Sequence, residues 1–487
     1  ETIEEQDIIG SLTERLPDYM IPTGYIQLES FPLNANGKID RKSLPVPDLT
    51  AGEEYVAPSN ETEVLLVSIW SEVLGLEESS ISVNSDFFRL GGHSLLAITL
   101  LNKVNQFFNV EVALRDLFRY RTVLELSIHI LEKDHVEFES IPKALESGSY
   151  PLSSAQRRMY FLYEFDKDGT SYNMPAFYRV GRDLDVSKLD KTFKELVSRH
   201  QVLRTVFELS EGQPVQRILD ASTFEITYRQ GSSVAIDSYV SEFVRPFNLA
   251  EDLPYRVSLI DISGEDYLLM IDTHHIINDG VSNEILTDDF WSLYHGASLP
   301  DLSIEYVDYS VWQQSENYQS LVSSHKDYWL DRYTEELTVL ELPTDYSRSQ
   351  IRSNEGGVHS ITLSEEQSQG LRKIAASEGV TMYTLFLGIY NVLLSKLSNQ
   401  EDIVVGTPTA GRHHTDLEGV VGMFVNTLAL RNQIASGSSF KEFLTDLQVD
   451  TLMAFDHQLY QYEELVDALD VSRDSSRNPL FDVFYSY

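Results

Sequence analysis

The sequence predicts a small all-α bundle followed by a large α/β domain, and three observations lead there. Between residues 60 and 133, apolar side chains recur at helical spacing behind capping boxes. From Tyr150 onward, strand-like apolar runs alternate with amphipathic helical ones over more than 300 residues. The stretch 134–149 between them carries charge, Ser and Gly without a sustained period, which reads as a linker.

Taken in order, residues 1–48 form an irregular tract with Pro22, Pro32, Pro45 and Pro47, and 49–59 read as a linker. Asn60 and Glu63 then open a helix on which Leu66, Ile69, Trp70 and Val73 recur, and Gly75 stops it. A second helix from Ser94 has Leu96, Leu100, Val104 and Phe107 on one face. A third starts at the Thr122-x-x-Glu125 box, with Leu124, Ile128 and Leu131 expected inward. Beyond the second linker, Tyr267–Ile271 reads as a strand, and Ile285, Leu286, Phe290 and Leu293 as one helix face. No short-period repeat is present.

Composition narrows the function. The chain has 487 residues, of which 42% are hydrophobic and 23% charged, enough for about three domains at ~150 residues each. Thirty-seven basic against 76 acidic side chains give a net charge of −39, which repels phosphate backbones and anionic lipid, so neither nucleic acid nor membrane is an expected partner. The absence of cysteine removes disulfides, thiolate zinc sites and cysteine nucleophiles, and a cytoplasmic location fits it. The apolar run from Gly379 to Ser395 falls short of the ~20 residues of a membrane span and reads as a buried helix. The first residues show neither an initiating Met nor a signal-peptide pattern, so a piece of a longer polypeptide is expected.

Two segments carry residues suited to chemistry. In Leu90-Gly91-Gly92-His93-Ser94, glycines permit a sharp turn and a serine stands at a helix start, where the positive end of the dipole would receive a phosphodiester. The alternative is a serine that merely caps the helix. In His274-His275-Ile276-Ile277-Asn278-Asp279-Gly280, directly after an apolar strand, a neutral imidazole can accept or relay a proton while an amine attacks a carbonyl. Asp279 would pair with a cation and hold the turn, and Gly280 would let its N–H approach a developing oxyanion. A buried, satisfied histidine pair is one alternative. A metal site is another, but no further ligand stands at familiar spacing, and none is expected. The spelling nearly recurs at His413-His414-Thr415-Asp416-Leu417-Glu418-Gly419. Arg412 and Asp416 surround that copy and no apolar strand leads into it, so it reads as a solvated loop.

The segment Asp86-Phe87-Phe88-x-Leu90-Gly91-Gly92-His93-Ser94-Leu95 resembles the attachment motif of peptidyl carrier proteins in nonribosomal peptide synthetases. That resemblance implies 4′-phosphopantetheine on Ser94, installed from coenzyme A by a phosphopantetheinyl transferase. A series in order resembles the condensation domains of the same synthetases. It begins with Ser153-Ser154-Ala155-Gln156-Arg157-Arg158-Met159-Tyr160 and Arg199-His200-Gln201-Val202-Leu203-Arg204-Thr205-x-Phe207. His274 to Gly280, Tyr306-Val307-Asp308-Tyr309-Ser310-Val311-Trp312, Val421-Gly422-Met423-Phe424-Val425-Asn426-Thr427 and Ser472 to Leu480 follow. Leu16 to Pro22 and Asn36 to Arg41 resemble the last two motifs of an adenylation domain, which would make 1–48 its C-terminal remnant, with Lys38 exposed and inactive.

The resemblance implies a four-helix-type carrier bundle over 60–133, then a two-lobed chloramphenicol-acetyltransferase-like condensation domain over 150–487. His275 would be the catalytic histidine and His274 its structural neighbour. Asp279 would be salt-bridged to Arg199, with Arg204 the second choice. The implied reaction joins an aminoacyl or peptidyl thioester on Ser94 to the amine of an aminoacyl thioester on a downstream carrier, with downstream adenylation and carrier domains as partners and an L-configured donor. The rivals are a carrier with a non-catalytic docking platform and an epimerase of the same fold. Leu459, Gln461 and Tyr462 depart from the family's His-Gln-Asp-Tyr-Pro-Phe-Glu type motif. The family continues past the position of Tyr487, so the second lobe is expected to be incomplete.

Overall fold

The structure is a computed structural model that describes residues 55–487 apart from 137–138, 263, 265, 336, 350–355, 472–473 and 475. The adenylation reading of residues 1–48, Lys38 included, and part of the Ser472 to Leu480 motif lie outside the described residues. The chain divides into two compact units: residues up to 138 with 361–386 and 440–452, and residues 139–360, 387–439 and 453–487.

The first unit begins with α1 (Glu61–Leu74), α2 (Ser94–Phe108), α3 (Leu114–Arg119) and α4 (Val123–Leu131). Asn60 Oδ1 accepts the Glu63 N–H at 2.9 Å. The Glu63 carboxylate reaches back to the Ser59 N–H at 2.6 Å. Leu66, Trp70, Phe87, Leu100, Val104 and Leu117 are fully enclosed between the helices.

Two inward assignments are corrected. Phe107, in the last turn of α2, is 55% exposed, and on α4 Leu124, Ile128 and Leu131 are 37, 52 and 69% exposed. Val123, Leu126 and Ile130 face inward instead. Both stripes have helical spacing, so spacing alone does not choose between them. The Leu124 N–H donates to Val83 O at 2.9 Å, and this clamp on the first turn fixes the rotation of the helix about its axis.

The remaining chain runs β1 (Tyr150–Pro151), α5 (Ser154–Phe165), β2 (Asn173–Val180), α6 (Val186–Arg199), β3 (Thr205–Ser210), β4 (Gln213–Ile218), β5 (Thr227–Gly231), α7 (Ile236–Phe243), β6 (Tyr255–Ile262) and β7 (Asp266–His274). It continues with α8 (Gly280–Tyr294), α9 (Tyr306–Trp312), α10 (Glu316–Arg332), α11 (Glu365–Glu378), α12 (Met382–Ser398), β8 (Asp402–Thr409), β9 (Asn426–Gln433), α13 (Phe440–Asp456), α14 (Tyr462–Ala468) and β10 (Val483–Phe484). The strands make three sheets, ordered β2-β7-β6-β5, β1-β4-β3 and β10-β8-β9.

Strand β7 leads into the candidate His-His turn. It lies between antiparallel neighbours β2 and β6, with His274 opposite Asn173 and Thr273 opposite Tyr255. Ladder bonds on both edges make it a rigid base for the turn that follows. Helix α12 is half-buried rather than buried throughout. It hides Leu385, Leu387 and Leu394, while Ile389, Leu393 and Leu397 are 38, 50 and 52% exposed. Among the described residues, no single helix is long and apolar enough to cross a membrane.

Candidate functional site

His274 ends β7 and caps a 3₁₀ turn, His275–Ile277. Its Nδ1 accepts the Ile276 N–H at 3.1 Å, so the ring proton sits on Nε2. Burial, reinforced by the neighbouring His275 and Arg256 charges, pushes His274 down to about 4, and the ring is neutral at physiological pH. His275 has the opposite tautomer. Its Nδ1 lies 2.7 Å from the Asn278 carbonyl oxygen, which can only accept, so Nδ1 donates, and in the neutral ring the lone pair falls on Nε2. The His275 N–H donates to Tyr172 O at 2.8 Å, and the side chain is half-buried. A cavity of about 190 Å³ lies against His274, walled by Leu162, Tyr163, Tyr172 and Phe247.

Asp279 is fully buried at the start of α8, where Oδ1 accepts the Ser282 N–H at 2.8 Å. Its cation is Arg412, with Nη2 3.4 Å from Oδ1. The Phe424 N–H adds a bond to Oδ2 at 3.0 Å. Arg412 Nη2 also donates to Ser282 Oγ at 2.9 Å, and its guanidinium lies 4.1 Å from the centre of the Phe424 ring. Ser282 Oγ in turn donates to Gly422 O at 2.8 Å. The turn after β7 is thus braced by residues 412–424, from the half of the domain that carries β8 and β9.

The expected pairing of Asp279 with Arg199 is therefore corrected. Arg199 Nε donates to Asp289 Oδ2 at 2.8 Å and Nη1 to Pro300 O at 2.6 Å, while Arg204 Nη1 donates to Leu219 O. Helix α6 packs along α8, and Arg199, its last residue, meets α8 at Asp289. Asp289 lies ten residues beyond Asp279, about 15 Å along the helix at 1.5 Å per residue.

The second histidine pair is also corrected: its loop is buried, not solvated. Arg412 and His414 are 8% and 7% exposed. His413 stacks on Trp312 with ring centres 5.9 Å apart, and burial pushes it to about 3. The two pairs differ in which histidine caps the turn. His414 caps a 3₁₀ turn, Thr415–Leu417, with Nδ1 accepting the Asp416 N–H at 3.1 Å, just as His274 accepts from Ile276. In the first pair the capping histidine comes first and His275 follows it. In the second the capping histidine comes last and Thr415 follows it, so no imidazole occupies the corresponding place.

Gly280, the first residue of α8, is exposed, and nothing lies within 4 Å of the position a Cβ would take. Ser94 is the first helical residue of α2. The cap position is held by His93, whose side chain makes no cap bond. The turn before it is held by the Gly92 N–H donating to Phe87 O at 2.9 Å. A Cβ on Gly92 would come within 2.3 Å of the buried Phe87 ring, so only glycine fits. His93 leaves the first N–H groups of α2 without a bond from its own side chain, and that donor set at the positive helix end suits the phosphodiester of a phosphopantetheine.

Arg412, Ser282, Asn278 and the Phe424 N–H were not foreseen as site residues. A carboxylate in an apolar setting demands a cation. Arg412, beside the second histidine pair, was visible in the sequence, but nothing in the spacing ties it to Asp279.

A helix-start serine behind a Gly-Gly turn, in one chain with a braced His-His turn at the end of a central strand, defines a carrier paired with an acyl-transfer type domain. Residues 146–487 match the family described as Condensation domain, and residues 64–130 match Phosphopantetheine attachment site. The chain belongs to the condensation-domain family of nonribosomal peptide synthetases and carries a phosphopantetheine-attachment domain ahead of it. It is 42% identical over 477 residues to gramicidin S synthase 2 of Brevibacillus brevis, covering 98% of this chain and 11% of that protein. It is 43% identical over 477 residues to bacitracin synthase 3 of Bacillus licheniformis, covering 98% and 8%. The chain thus spans about a tenth of the length of these relatives. The crystal structure of the X-domain from teicoplanin biosynthesis superposes with a TM-score of 0.65 at 22% identity, over 71% of this chain and 79% of that one, and shares the chloramphenicol-acetyltransferase-like fold.

Proposed function

We propose that the chain forms an amide bond in nonribosomal peptide synthesis, with residues 60–133 as donor carrier and the chain from 150 as condensing domain. When attached, phosphopantetheine supplies a flexible arm ending in a thiol that carries the acyl group. Ser94 is the attachment residue, and a phosphopantetheinyl transferase with downstream adenylation and carrier domains are the partners. The donor is an L-configured aminoacyl or peptidyl thioester.

In the reaction the amine nitrogen of the acceptor bonds to the thioester carbonyl carbon, the C–S bond breaks, and the proton lost by the amine ends on the departing sulfur. His275 Nε2, with its free lone pair, accepts the amine N–H and either takes that proton or holds the amine in line. A thioester is already an activated acyl donor, so orientation contributes much of the acceleration. The Gly280 N–H, at the exposed start of α8, would meet the carbonyl oxygen as it gains charge. The opposite tautomers of the two adjacent histidines carry this reading: His274 is engaged in the turn, and His275 presents an acceptor.

The test is to load Ser94 with coenzyme A and a transferase, verify the mass increase, charge the arm with an amino acid and supply an aminoacyl pantetheine thioester as acceptor. Amide product should form, disappear in His275→Ala and persist in Arg199→Ala. Donor α-proton exchange with solvent and no amide would mean an epimerase, and neither reaction would mean a docking platform.

A further inference from the structure

We infer that residues 139–144 are a strap docked on the condensing domain, and that His414 and Asp416 are positioning residues that set the length of the donor carrier's tether. The functional part of this inference rests on the reaction proposed above. The stretch 134–149 was expected to be linker, yet from Glu139 it is fixed at successive points. His414 Nδ1 is engaged by the Asp416 N–H, so its Nε2 carries the proton and donates to Glu139 O at 3.1 Å. The Ile141 N–H donates to Asp416 Oδ2 at 2.9 Å, and the Ala144 N–H to Asp308 Oδ1 at 2.7 Å. Asn317 Nδ2 donates to Glu139 Oε2 at 2.9 Å. Between these bonds the Ile141 side chain, 3% exposed, joins the main hydrophobic core. Two carboxylates and an imidazole thereby satisfy backbone groups of a segment that has no ladder of its own, which explains why the second histidine loop is buried without catalytic geometry.

The chain is also anchored on the carrier side, where the Val136 N–H donates to Asn109 O at 2.7 Å. Residues 137–138 alone separate that anchor from Glu139. Counted along the chain, the tether from Val136 to Glu139 is three residues long. Releasing the strap as far as Tyr150 would extend the tether to about a dozen residues. Effective concentration falls roughly as the −3/2 power of tether length, so release should dilute a Ser94-borne donor about tenfold at the condensing site.

The experiment uses the whole chain with Asp416→Ala and, from the strap side, Ile141→Asp, which removes the apolar anchor and opposes Asp416. Asp416→Asn serves as rescue, since its amide oxygen still accepts from Ile141. Hydrogen exchange should find the Ile141 and Ala144 amides protected in the unaltered chain and in Asp416→Asn, and unprotected in the other two. Amide formation from donor loaded on Ser94 should slow about tenfold in those two, while formation from a soluble aminoacyl pantetheine thioester donor stays unchanged. Unprotected amides in the unaltered chain overturn the strap. An unchanged Ser94-loaded rate after protection is lost, or equal slowing with both donors, overturns the positioning role. Failure of both donors in the unaltered chain overturns the proposed reaction instead, and exchange protection still decides the strap.

Discussion

Arg412 Nη2 stands 3.4 Å from Asp279 Oδ1, with 7% and 1% of the two side chains exposed, and the contact joins positions 133 residues apart. The carboxylate that caps α8, directly after the His-His turn, is thereby neutralised from the other half of the domain.

Breaking this pair from one side leaves a buried charge without its partner. Arg412→Ala should destabilise the domain by about 3–5 kcal/mol, read as a shift in the urea midpoint. A double-mutant cycle should give strong coupling between Asp279 and Arg412 and none beyond ~0.5 kcal/mol between Asp279 and Arg199. Coupling to Arg199 of equal size would contradict the pairing.

Acid should weaken the fold through His274 and His413, pushed by burial to about 4 and about 3. The unfolded chain binds more protons below the ordinary histidine value of ~6.5, so their contribution is full above that pH and is lost as pH falls toward 4. Asp272 works in the opposite sense. Burial raises it to about 6, so its contribution is full below the ordinary carboxylate value near ~4 and is lost as pH rises through 6. His274→Asn keeps an acceptor for the Ile276 N–H and should flatten the loss of stability between pH 6.5 and 4 in thermal unfolding. Asp272→Asn should gain stability at pH 7.5 relative to pH 5.

At Gly280 the protein leaves open space for a methyl group. Gly280→Ala should therefore unfold within ~1 kcal/mol of the unaltered chain, since alanine favours the helix. If the N–H meets the substrate oxygen closely, amide formation should still fall at least tenfold. A variant with full activity would remove Gly280 from the reaction.

In the carrier, Gly92→Ala would drive a Cβ against the Phe87 ring, which packs edge-on to Trp70 with centres 5.2 Å apart. Overpacking of this kind costs about 1–3 kcal/mol. Thermal unfolding should fall accordingly, and mass spectrometry should find slower phosphopantetheine transfer. Gly91→Ala tests the turn separately, because its φ of +104° strains any other residue without a clash.

Much of the local architecture could be read directly. The Asn60 cap, the Thr122–Glu125 box, the Gly75 stop and the strand leading into His274 each follow from neighbouring residues, and each forms as expected. The surroundings of the second histidine pair do not follow in this way. The loop at His413 and His414 was expected to be wet because charges flank it, whereas those charges are the groups that bind the strap and brace Asp279.

Capping residues, period and the order of motifs act within a few positions of the chain, and there the sequence alone determines the helices, the strand before the His-His turn and the family to which the chain belongs. The partner of Asp279 and the burial of Ile141 belong to the tertiary structure. Each depends on which backbone groups and charges packing brings within about 3 Å, and no local pattern encodes a meeting between residues more than a hundred positions apart.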